Sequence, residues 1–405
     1  MTTWRPRATR RQLLAGVGAA AVTIGMPAIL RAQSEPIRIG ALNPLTGAGG
    51  SYGPSMRKAI ELGVEEINAA GGLLGGRMVE LYGEDTQTNP EAAVRAARKL
   101  IDADRAIAIL GTWASSVTTA VAPLCWESRT MIACVSGSDT ITLLPHEGYL
   151  IRTQPNSTLQ MDKLAEFVGA ELGVKRVFIL GAQTPFAKPN EDHLRANLPK
   201  HGAELVGALV YDKDKTSFRS EIDIALQSDP DMIYLNGYTP DVTVVMKDLY
   251  KAGYDKGRVA QAYAVNQKLL ESLPAEVTQG VYTIAPSPAV NSDAYRRLSE
   301  KLAITDLDPY SCQTNDHIAL IALAIEQAGE ASGAAIKDSV RKISQGDGIE
   351  VDNVTDGLTA LRDGAAINYT GASGPCDFTD IGDILDTQFR YEVVEDGAFE
   401  TLKIA

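Results

Sequence analysis

The fold is decided by residues 37–72, which read IRIGALNPLTGAGGSYGPSMRKAIELGVEEINAAGG. Residues 37–42 are a short apolar run that predicts a buried strand. Apolar side chains then recur at helical spacing, at Met56, Ile60, Val64 and Ile67. The pair Gly71-Gly72 predicts the end of this helix. A strand, a glycine-containing loop and an amphipathic helix in this order form the repeating unit of an α/β domain with a parallel sheet.

The same unit recurs along the chain in two series. The first series predicts further strands at 78–84, 106–110, 130–135 and 150–153. The second series predicts strands at 177–180, 204–210, 232–235 and 280–284. Helices follow around 292–302, 314–328 and 333–343, and a terminal hairpin pairs 388–394 with 398–404. Two such series predict an α/β protein with two similar lobes.

The N-terminal residues have the composition of an export signal. Arg10-Arg11 precedes a weakly apolar segment, residues 13–24, and small residues surround Ala32. This pattern predicts a twin-arginine signal peptide over residues 1–32, removed on export to the periplasm. An uncleaved membrane anchor is the alternative, but glycine and proline dilute a stretch that barely reaches the ~20 residues of a span.

The charge of the chain after residue 32 argues against nucleic-acid and lipid partners. Residues 1–32 contain five of the 38 basic side chains, so 33 remain against 51 acidic ones, a formal charge of −18. Phosphate backbones and anionic membrane surfaces repel such a protein. The roughly 370 remaining residues exceed the ~250–300 at which one core stops growing, so two domains are expected.

Four cysteines lie beyond the predicted signal: Cys125, Cys134, Cys312 and Cys376. Their spacing fits no metal site, and four half-cystines allow three full pairings. Export would let disulfides persist. Cys312 and Cys376 are the preferred pair, because both lie in the segment expected to return to the first lobe. Buried free thiols are the alternative.

Short motifs occur in a fixed order along the chain. They read NPLTG at 43–47, YG at 52–53, EINAAGG at 66–72, NPEAA at 89–93, ARKLI at 97–101, RT at 152–153, NGY at 236–238 and GASGP at 371–375. Together they resemble the branched-chain amino acid type of periplasmic binding protein of ABC transporters, the Leu/Ile/Val-binding protein family. The resemblance covers essentially the whole chain after the signal.

The resemblance implies two Rossmann-like lobes with parallel central sheets, joined by three hinge crossings near residues 156, 286 and 385, the type I arrangement. Lobe I would comprise 36–156 and 287–385, and lobe II 157–286 and 386–405. A small molecule would bind in the cleft, the lobes would close on it, and the monomeric protein would deliver it to the membrane permease of an ABC transporter. No cofactor and no metal are expected.

Three serines are candidates for binding the charged head of a ligand. Ser115, Ser136 and Ser138 follow predicted strands, and ligands of open parallel sheets bind beyond the carboxyl ends of strands. Hydroxyl and backbone N–H donors beside a helix N-terminus suit a carboxylate. The resemblance implies that the matching positions hold the carboxylate of an amino acid. The alternative is that these serines only cap a helix or shape turns.

Four aromatic residues also fall on loops after strands. Tyr52, Trp113, Phe186 and Tyr238 match positions of the family's pocket wall, so we expect them to line the cleft. Aromatic residues are more often core than pocket wall, and that alternative stays open for each ring.

The main departure from the family is Tyr263. The family places a carboxylate there to receive the ligand's ammonium group, and alignment through residues 259–264 gives Tyr263 at that position. A ring can offer a hydroxyl or cation-π attraction, but it cannot neutralise a buried ammonium. A small carboxylate, an amide or an aromatic acid is therefore expected in place of a branched-chain amino acid.

Two other functional classes compete with a carrier. No nucleophile-elbow or metal-helix spacing surrounds the four histidines, His146, His193, His201 and His317, so no enzyme is expected. Paired cleft acids among Asp85, Asp139 and Asp241 are the catalytic alternative, although lone loop aspartates usually cap helices or face solvent. A soluble sensor that signals to a membrane receptor uses the same fold and is the second alternative.

Overall fold

The computed structural model describes residues 1, 2 and 35–405. Contacts divide the chain into residues 1–35 and residues 36–405, and every element below belongs to the second unit. Apart from its first two residues, the predicted signal peptide lies outside the described part of the chain.

The strands alternate with helices through most of the described chain. The strands are β1 Ile37–Asn43, β2 Val79–Asp85, β3 Ala108–Thr112, β4 Met131–Cys134, β5 Leu150–Arg152, β6 Arg176–Ala182, β7 Glu204–Tyr211, β8 Met232–Asn236, β9 Gly257–Gln261, β10 Val281–Pro286, β11 Ile349–Val351, β12 Ile367–Gly371, β13 Gly374–Pro375, β14 Phe389–Glu395 and β15 Ala398–Ile404.

The α-helices are α1 Gly53–Ala69, α2 Pro90–Arg98, α3 Ser115–Glu127, α4 Ser157–Glu166, α5 Ala187–Asn197, α6 Arg219–Gln227, α7 Thr239–Lys251, α8 Gln267–Ser272, α9 Ala275–Thr278, α10 Asp293–Leu302, α11 Pro309–Ala328, α12 Gly333–Ser344 and α13 Val354–Arg362. Capping side chains mark the start of several helices. Asn89 caps α2 and Asp308 caps α11, and in each case proline follows in the first turn.

Two sheets form the centres of two lobes, as the sequence predicted. The first sheet has the order β2-β1-β3-β4-β5 and is parallel throughout. The second has the order β15-β14-β10-β9-β8-β6-β7, and its strands β6 to β10 are parallel. The predicted terminal hairpin is confirmed as β14 and β15, which adds two antiparallel strands to this sheet.

The sequence patterns missed two features of the sheets. Strand β9, Gly257–Gln261, lies inside the second sheet. Only two consecutive residues of it, Val259 and Ala260, are apolar, so it lacks the apolar run that predicts a buried strand. A small sheet of β11, β12 and β13 also escaped notice, because these strands have only two to five residues. The predicted lobe boundaries fall between elements of the two large sheets and stay a prediction.

Helix α11 is the main core helix of the first lobe. It is buried along most of its length and packs against α1 and α12. Gly63 of α1 permits this approach, because a Cβ atom there would lie 2.3 Å from a methyl carbon of Ile318. No single helix among the described residues is long and apolar enough to cross a membrane, although the bent pair α11 and α12 passes that test jointly.

The predicted Cys312–Cys376 disulfide is wrong. All four cysteines are free and buried, as the alternative held. Cys312 packs in a cluster with Leu298, whereas Cys376 packs in another cluster with Phe378. Belonging to the same returning segment did not bring the two thiols together, and burial raises the pKa of each thiol well above its ordinary value.

Candidate functional site

The first wall of the site is the start of helix α3, directly after β3. Its N-cap residue is Ala114, and no side chain caps the helix, so Ser115 is the first helical residue. The Ser115 hydroxyl accepts a hydrogen bond from the backbone N–H of Ser138 at 3.2 Å. First-turn N–H groups, a hydroxyl and the positive end of a helix dipole therefore meet at this point.

The other two predicted serines sit behind this wall. The Ser136 hydroxyl donates to the carbonyl of Trp113 at 2.9 Å and lies 2.6 Å from the hydroxyl of Thr118, so it holds two loops together. The Ser138 hydroxyl lies 2.9 Å from that of Thr140 and 3.3 Å from the carbonyl of Pro185. Neither serine lines the cavity described next, whereas Ser115 does.

Aromatic rings enclose a small cavity between the lobes, which we call the head cavity. Its free volume is about 40 Å³, and its aromatic lining is Trp113, Phe186, Tyr238, Tyr263 and Tyr310. The Trp113 ring lies 5.4 Å from that of Tyr238 and 6.0 Å from that of Tyr263, measured between centroids. The cavity is large enough for a few water-sized groups, which corresponds to a ligand head.

The polar part of the head cavity consists of neutral side chains. Besides Ser115 it contains Gln154, Ser157, Gln160 and Asn190. Asn190 is 4% exposed and donates to Asn236 at 3.0 Å, while its Oδ1 atom has no partner among the described residues. None of the described residues that line this cavity carries a charge.

Tyr52 closes the cleft from the first lobe. Its hydroxyl donates to the carbonyl of Ala262 at 3.4 Å and accepts from the side chain of Asn266 at 3.1 Å. Its ring lies 5.9 Å from Trp113 and 5.2 Å from Tyr310. Burial raises the pKa of the phenols of Tyr52 and Tyr263, so both are neutral hydroxyl groups.

A larger cavity adjoins the head cavity, and we call it the outer chamber. Its free volume is about 550 Å³, and it shares Tyr263 and Tyr310 with the head cavity. Tyr52 lines only the outer chamber. The chamber lies between the loop before α11 and the ends of β9, β10 and β14. Its volume is within the range of small-molecule sites, about 300–1,000 Å³.

A buried ion pair holds the serine loop in place. Arg152 is fully buried, and its Nε lies 2.6 Å from a carboxylate oxygen of Asp383. One Nη atom of Arg152 donates to the carbonyl of Ser138 at 2.6 Å and to that of Ser136 at 3.3 Å. Asn156 donates to the second oxygen of Asp383 at 3.1 Å. The loop at the site is thus fixed to the segments near two predicted crossings.

The candidate catalytic aspartates do not meet. Asp139 pairs with His193 at 2.8 Å and accepts from Thr158. Asp85 accepts hydrogen bonds from the loop that follows β1, and Asp241 accepts from the backbone N–H of Tyr238 at the start of α7. In residues 35–405 no group of three or more metal-ligating side chains is placed to hold a metal ion.

The sequence patterns missed Gln154, Ser157, Gln160, Asn190 and Tyr310. Two of them had a signal, because Gln154 and Ser157 flank the crossing predicted near 156. Tyr310 follows the helix start Asp308-Pro309 and could have been noted there. Asn190 lies one turn along α5 from Phe186, where nothing in the sequence distinguishes it from a surface helix residue.

Comparisons with known proteins place the chain in a family. The model of the periplasmic binding protein family matches residues 36–368. The substrate-binding protein BasB of the chemotactic signal transduction system of Halobacterium salinarum is 27% identical over 85% of this chain and 84% of its own length. The Leu/Ile/Val-binding protein BraC3 of Rhizobium johnstonii is 25% identical over 75% of this chain and 83% of its own.

A solved structure has the same fold over nearly its whole length. The leucine-binding protein LivK of Thermotoga maritima aligns with a TM-score of 0.78 and 21% identity, covering 91% of this chain and 98% of LivK. The names of these proteins describe solute-binding proteins and not enzymes. The chain therefore belongs to the periplasmic binding protein family, and it is similar to the Leu/Ile/Val-binding proteins.

Proposed function

We propose that this protein is a periplasmic solute-binding protein that captures a small carboxylate or amino acid-like molecule between its lobes and delivers it to an ABC transporter. The single observation that carries the proposal is the neutral head cavity, in which Ser115 and the start of α3 face a cage of aromatic rings. A carboxylate suits the helix start.

In this proposal the carboxylate binds Ser115 and the first-turn N–H groups of α3. Ser138 contributes by positioning Ser115, because its backbone N–H donates a hydrogen bond to the Ser115 hydroxyl. Ser136 supports the loop and does not contact the ligand, since its hydroxyl is engaged with Trp113 and Thr118. Trp113, Phe186, Tyr238 and Tyr263 enclose the ligand around its carboxylate, and Tyr52 closes the cleft.

The membership of the family supports export to the periplasm and a membrane permease as partner. The twin-arginine signal over residues 1–32 and the monomeric state are parts of the same proposal. Catalysis is not part of it, because each candidate acid bonds to a different part of the protein: Asp139 to His193, Asp85 to the loop after β1, and Asp241 to the start of α7.

Two measurements test the proposal. A thermal-shift screen covers amino acids, amides, keto acids and aromatic carboxylates, because a ligand that binds only the folded state raises Tm with RT ln(1 + [L]/Kd). We expect a carboxylate with micromolar Kd, about −8 kcal/mol. Small-angle scattering should then show compaction on its addition. No Tm shift with any class at millimolar concentration, or an unchanged radius of gyration at saturation, would contradict the proposal.

A sensing role is the second candidate, and the similarity to BasB favours it. In that case the liganded protein would dock on a membrane receptor in place of a permease. Deletion of the gene separates the two roles: loss of ligand uptake supports transport, whereas normal uptake with lost behavioural response to the ligand supports sensing.

A further inference from the structure

Two ion pairs join elements of the two lobes. The first links Asp139, in the loop after β4, to His193 on α5, with 2.8 Å between the Oδ2 and Nε2 atoms. The second links Asp306, in the loop before α11, to Arg390 on β14 at 2.8 Å. Both pairs therefore hold the lobes together.

The two partners of the first pair belong to different cores. Ile141, two residues after Asp139, lies in the apolar cluster that contains Val121 of the first lobe. Leu194, next to His193, lies in the cluster that contains Val177 of β6 in the second sheet. Asp139 and His193 should therefore move with different lobes when the cleft opens.

Asp139 also connects this pair to the walls of the head cavity. Its two carboxylate oxygens accept hydrogen bonds from the backbone N–H and the hydroxyl of Thr158, at 3.2 and 3.3 Å. Thr158 follows Ser157, a lining residue at the start of α4. On its other side Asp139 follows Ser138, whose backbone N–H donates to the Ser115 hydroxyl. The pair is thus next to both walls of the site.

Asp139 is the charged group in contact with His193. Asp162 on α4 accepts a hydrogen bond from Asn197, and Lys200, just beyond α5, donates to the same residue. The other charged side chains of the two helices pair among themselves: Lys163 with Glu166, Lys188 with Glu191 and Asp192, and Arg195 with Glu191. The side chains of His193 and Asp139 are 28% and 20% exposed, so water screens their attraction only in part.

Of the two pairs between the lobes, only the first contains a group that changes charge near neutral pH. Histidine takes up its proton around pH 6.5, whereas arginine stays charged. The other histidines do not join the lobes: His146 contacts the carbonyl of Thr142, His317 is buried in α11, and His201 lies beside Gly169 of the second lobe.

We propose that Asp139 and His193 form a pH-sensitive latch between the lobes: a proton on His193 adds an ion pair to the closed state, so the protein holds its ligand more tightly at about pH 5.5 than at about pH 8. This inference rests on the proposed function, because it concerns closure of the same cleft. Both are positioning residues, since they bind each other and not the ligand. The contribution of the latch is present while the imidazole is charged and is lost as the pH rises.

Calorimetry at the two pH values measures the latch. The probes are benzoate and 4-methylpentanoate, which is leucine without its amino group. Both stay anions over this range, because carboxyl groups titrate near pH 4. We expect the Kd of each probe that binds to be about threefold lower at the lower pH, the effect of a partly exposed ion pair of about 0.7 kcal/mol.

Two variants of His193 separate its charge from its shape. His193→Gln should bind with the same Kd at both pH values. His193→Lys is charged at both values, so its Kd should also be constant but lower than that of His193→Gln. Asp306→Asn is the matched control, because it removes the permanent pair with Arg390 and should keep the threefold ratio. The Tm of each empty variant verifies folding.

The empty protein gives a readout that needs no probe. Spin labels on Glu127→Cys, at the end of α3, and on Lys247→Cys, on α7, report the distance between the lobes by pulsed electron paramagnetic resonance, since the four native cysteines are buried. The ratio of closed to open molecules should rise about threefold from the higher to the lower pH, and it should stay constant when His193→Gln is added.

The outcomes separate the latch from the proposed function. If Kd or the closed-to-open ratio changes with pH equally in wild type and in His193→Gln, the latch is wrong, while binding of either probe leaves the carrier function standing. Tighter binding at the higher pH would also refute the latch. If neither probe binds, the spin-label distances decide the latch alone, and the thermal-shift screen decides the carrier function.

Discussion

The two sides of the cleft present different chemistry. The first lobe offers Ser115 at a helix start, with its neighbouring loop fixed by the buried Arg152–Asp383 pair. The second lobe offers the rings of Phe186, Tyr238 and Tyr263 and no charge toward the head cavity. The first-lobe side thus presents a helix start next to a loop braced by a buried ion pair, whereas the second-lobe side presents three rings beside the neutral side chains of Ser157, Gln160 and Asn190.

This difference predicts different tolerance to change. A polar network in a low-dielectric interior fails as a unit, because removal of one member leaves another buried group unpaired. Apolar contacts lose energy in proportion to the area removed. Variants on the first-lobe side should consequently have the larger effects on stability, and variants on the second-lobe side should mainly change which ligand binds.

The largest effect is expected for Arg152→Met. It leaves the carboxylate of Asp383 buried without its partner and frees the carbonyls of Ser136 and Ser138. Breaking one partner of a buried pair costs about 3–5 kcal/mol. Urea denaturation measures the free energy of unfolding. Arg296→Met is the matched control, because Arg296 forms only exposed pairs on α10, and its effect should stay below ~1 kcal/mol. Equal effects of the two variants would refute the special role of the Arg152 network.

The pH dependence of stability should also originate in the first lobe. Burial raises the pKa of Asp316 on α11 to about 6 and lowers the pKa of the next residue, His317, to about 3. Because the folded pKa of Asp316 exceeds its unfolded value of 3.8, its contribution is present below about pH 4 and is lost as pH rises through 6. His317, depressed from 6.5, contributes above pH 6.5 and loses this as pH falls through 3.

Between pH 4 and 6 the two slopes have opposite signs and cancel. His317→Gln removes the term that rises with pH, so the stability of the variant should fall by about 3 kcal/mol relative to wild type on going from pH 4 to pH 6. Chemical denaturation at the two pH values measures this difference. Thr153, which contacts His317 at 2.8 Å, provides a control: Thr153→Val keeps the histidine and should keep the cancellation. A pH-independent difference between wild type and the His317 variant would contradict the assignment.

The sequence predicted the regular parts of this molecule well. Helix α2 was identified from Asn89-Pro90, and the terminal hairpin from alternating residues, because both signals are local. The side chains that line the head cavity were only partly predicted. Ser115 lines the cavity but Ser136 does not, although both follow strands of the same sheet. Which hydroxyl faces the cleft depends on the partners that Thr118 and Arg152 provide, and those contacts join residues far apart in the chain.

Ser115→Ala should weaken ligand binding more than it weakens the fold. Hydrogen bonds to a charged ligand group contribute about 1.5–3 kcal/mol, so Kd for the carboxylate should rise ~10- to 100-fold. Calorimetry measures this, and Ser116→Ala is the matched control, since Ser116 does not line the head cavity. Ser136→Ala should behave in the opposite way, lowering Tm of the empty protein with less change in Kd. If Ser136→Ala abolishes binding while Ser115→Ala has no effect, the roles of the two serines are reversed.

The smallest expected effect concerns Tyr263, where a substitution should shift the preference of the cleft from benzoate toward leucine. No acid lines the head cavity in the described chain, so the ammonium group of leucine would be buried without an ionic partner, which costs several kcal/mol. Tyr263→Glu supplies a carboxylate at that position. Because the new acid must itself be desolvated, only part of the cost returns, and leucine affinity should rise about tenfold while benzoate affinity falls. Tyr263→Gln, neutral and of similar length to glutamate, should change neither affinity in this way.

Calorimetry with leucine, isoleucine and valine on wild-type protein gives the decisive result: tight binding of any of them, lost in the variant Tyr263→Ala, would show that the ring itself accepts an ammonium group.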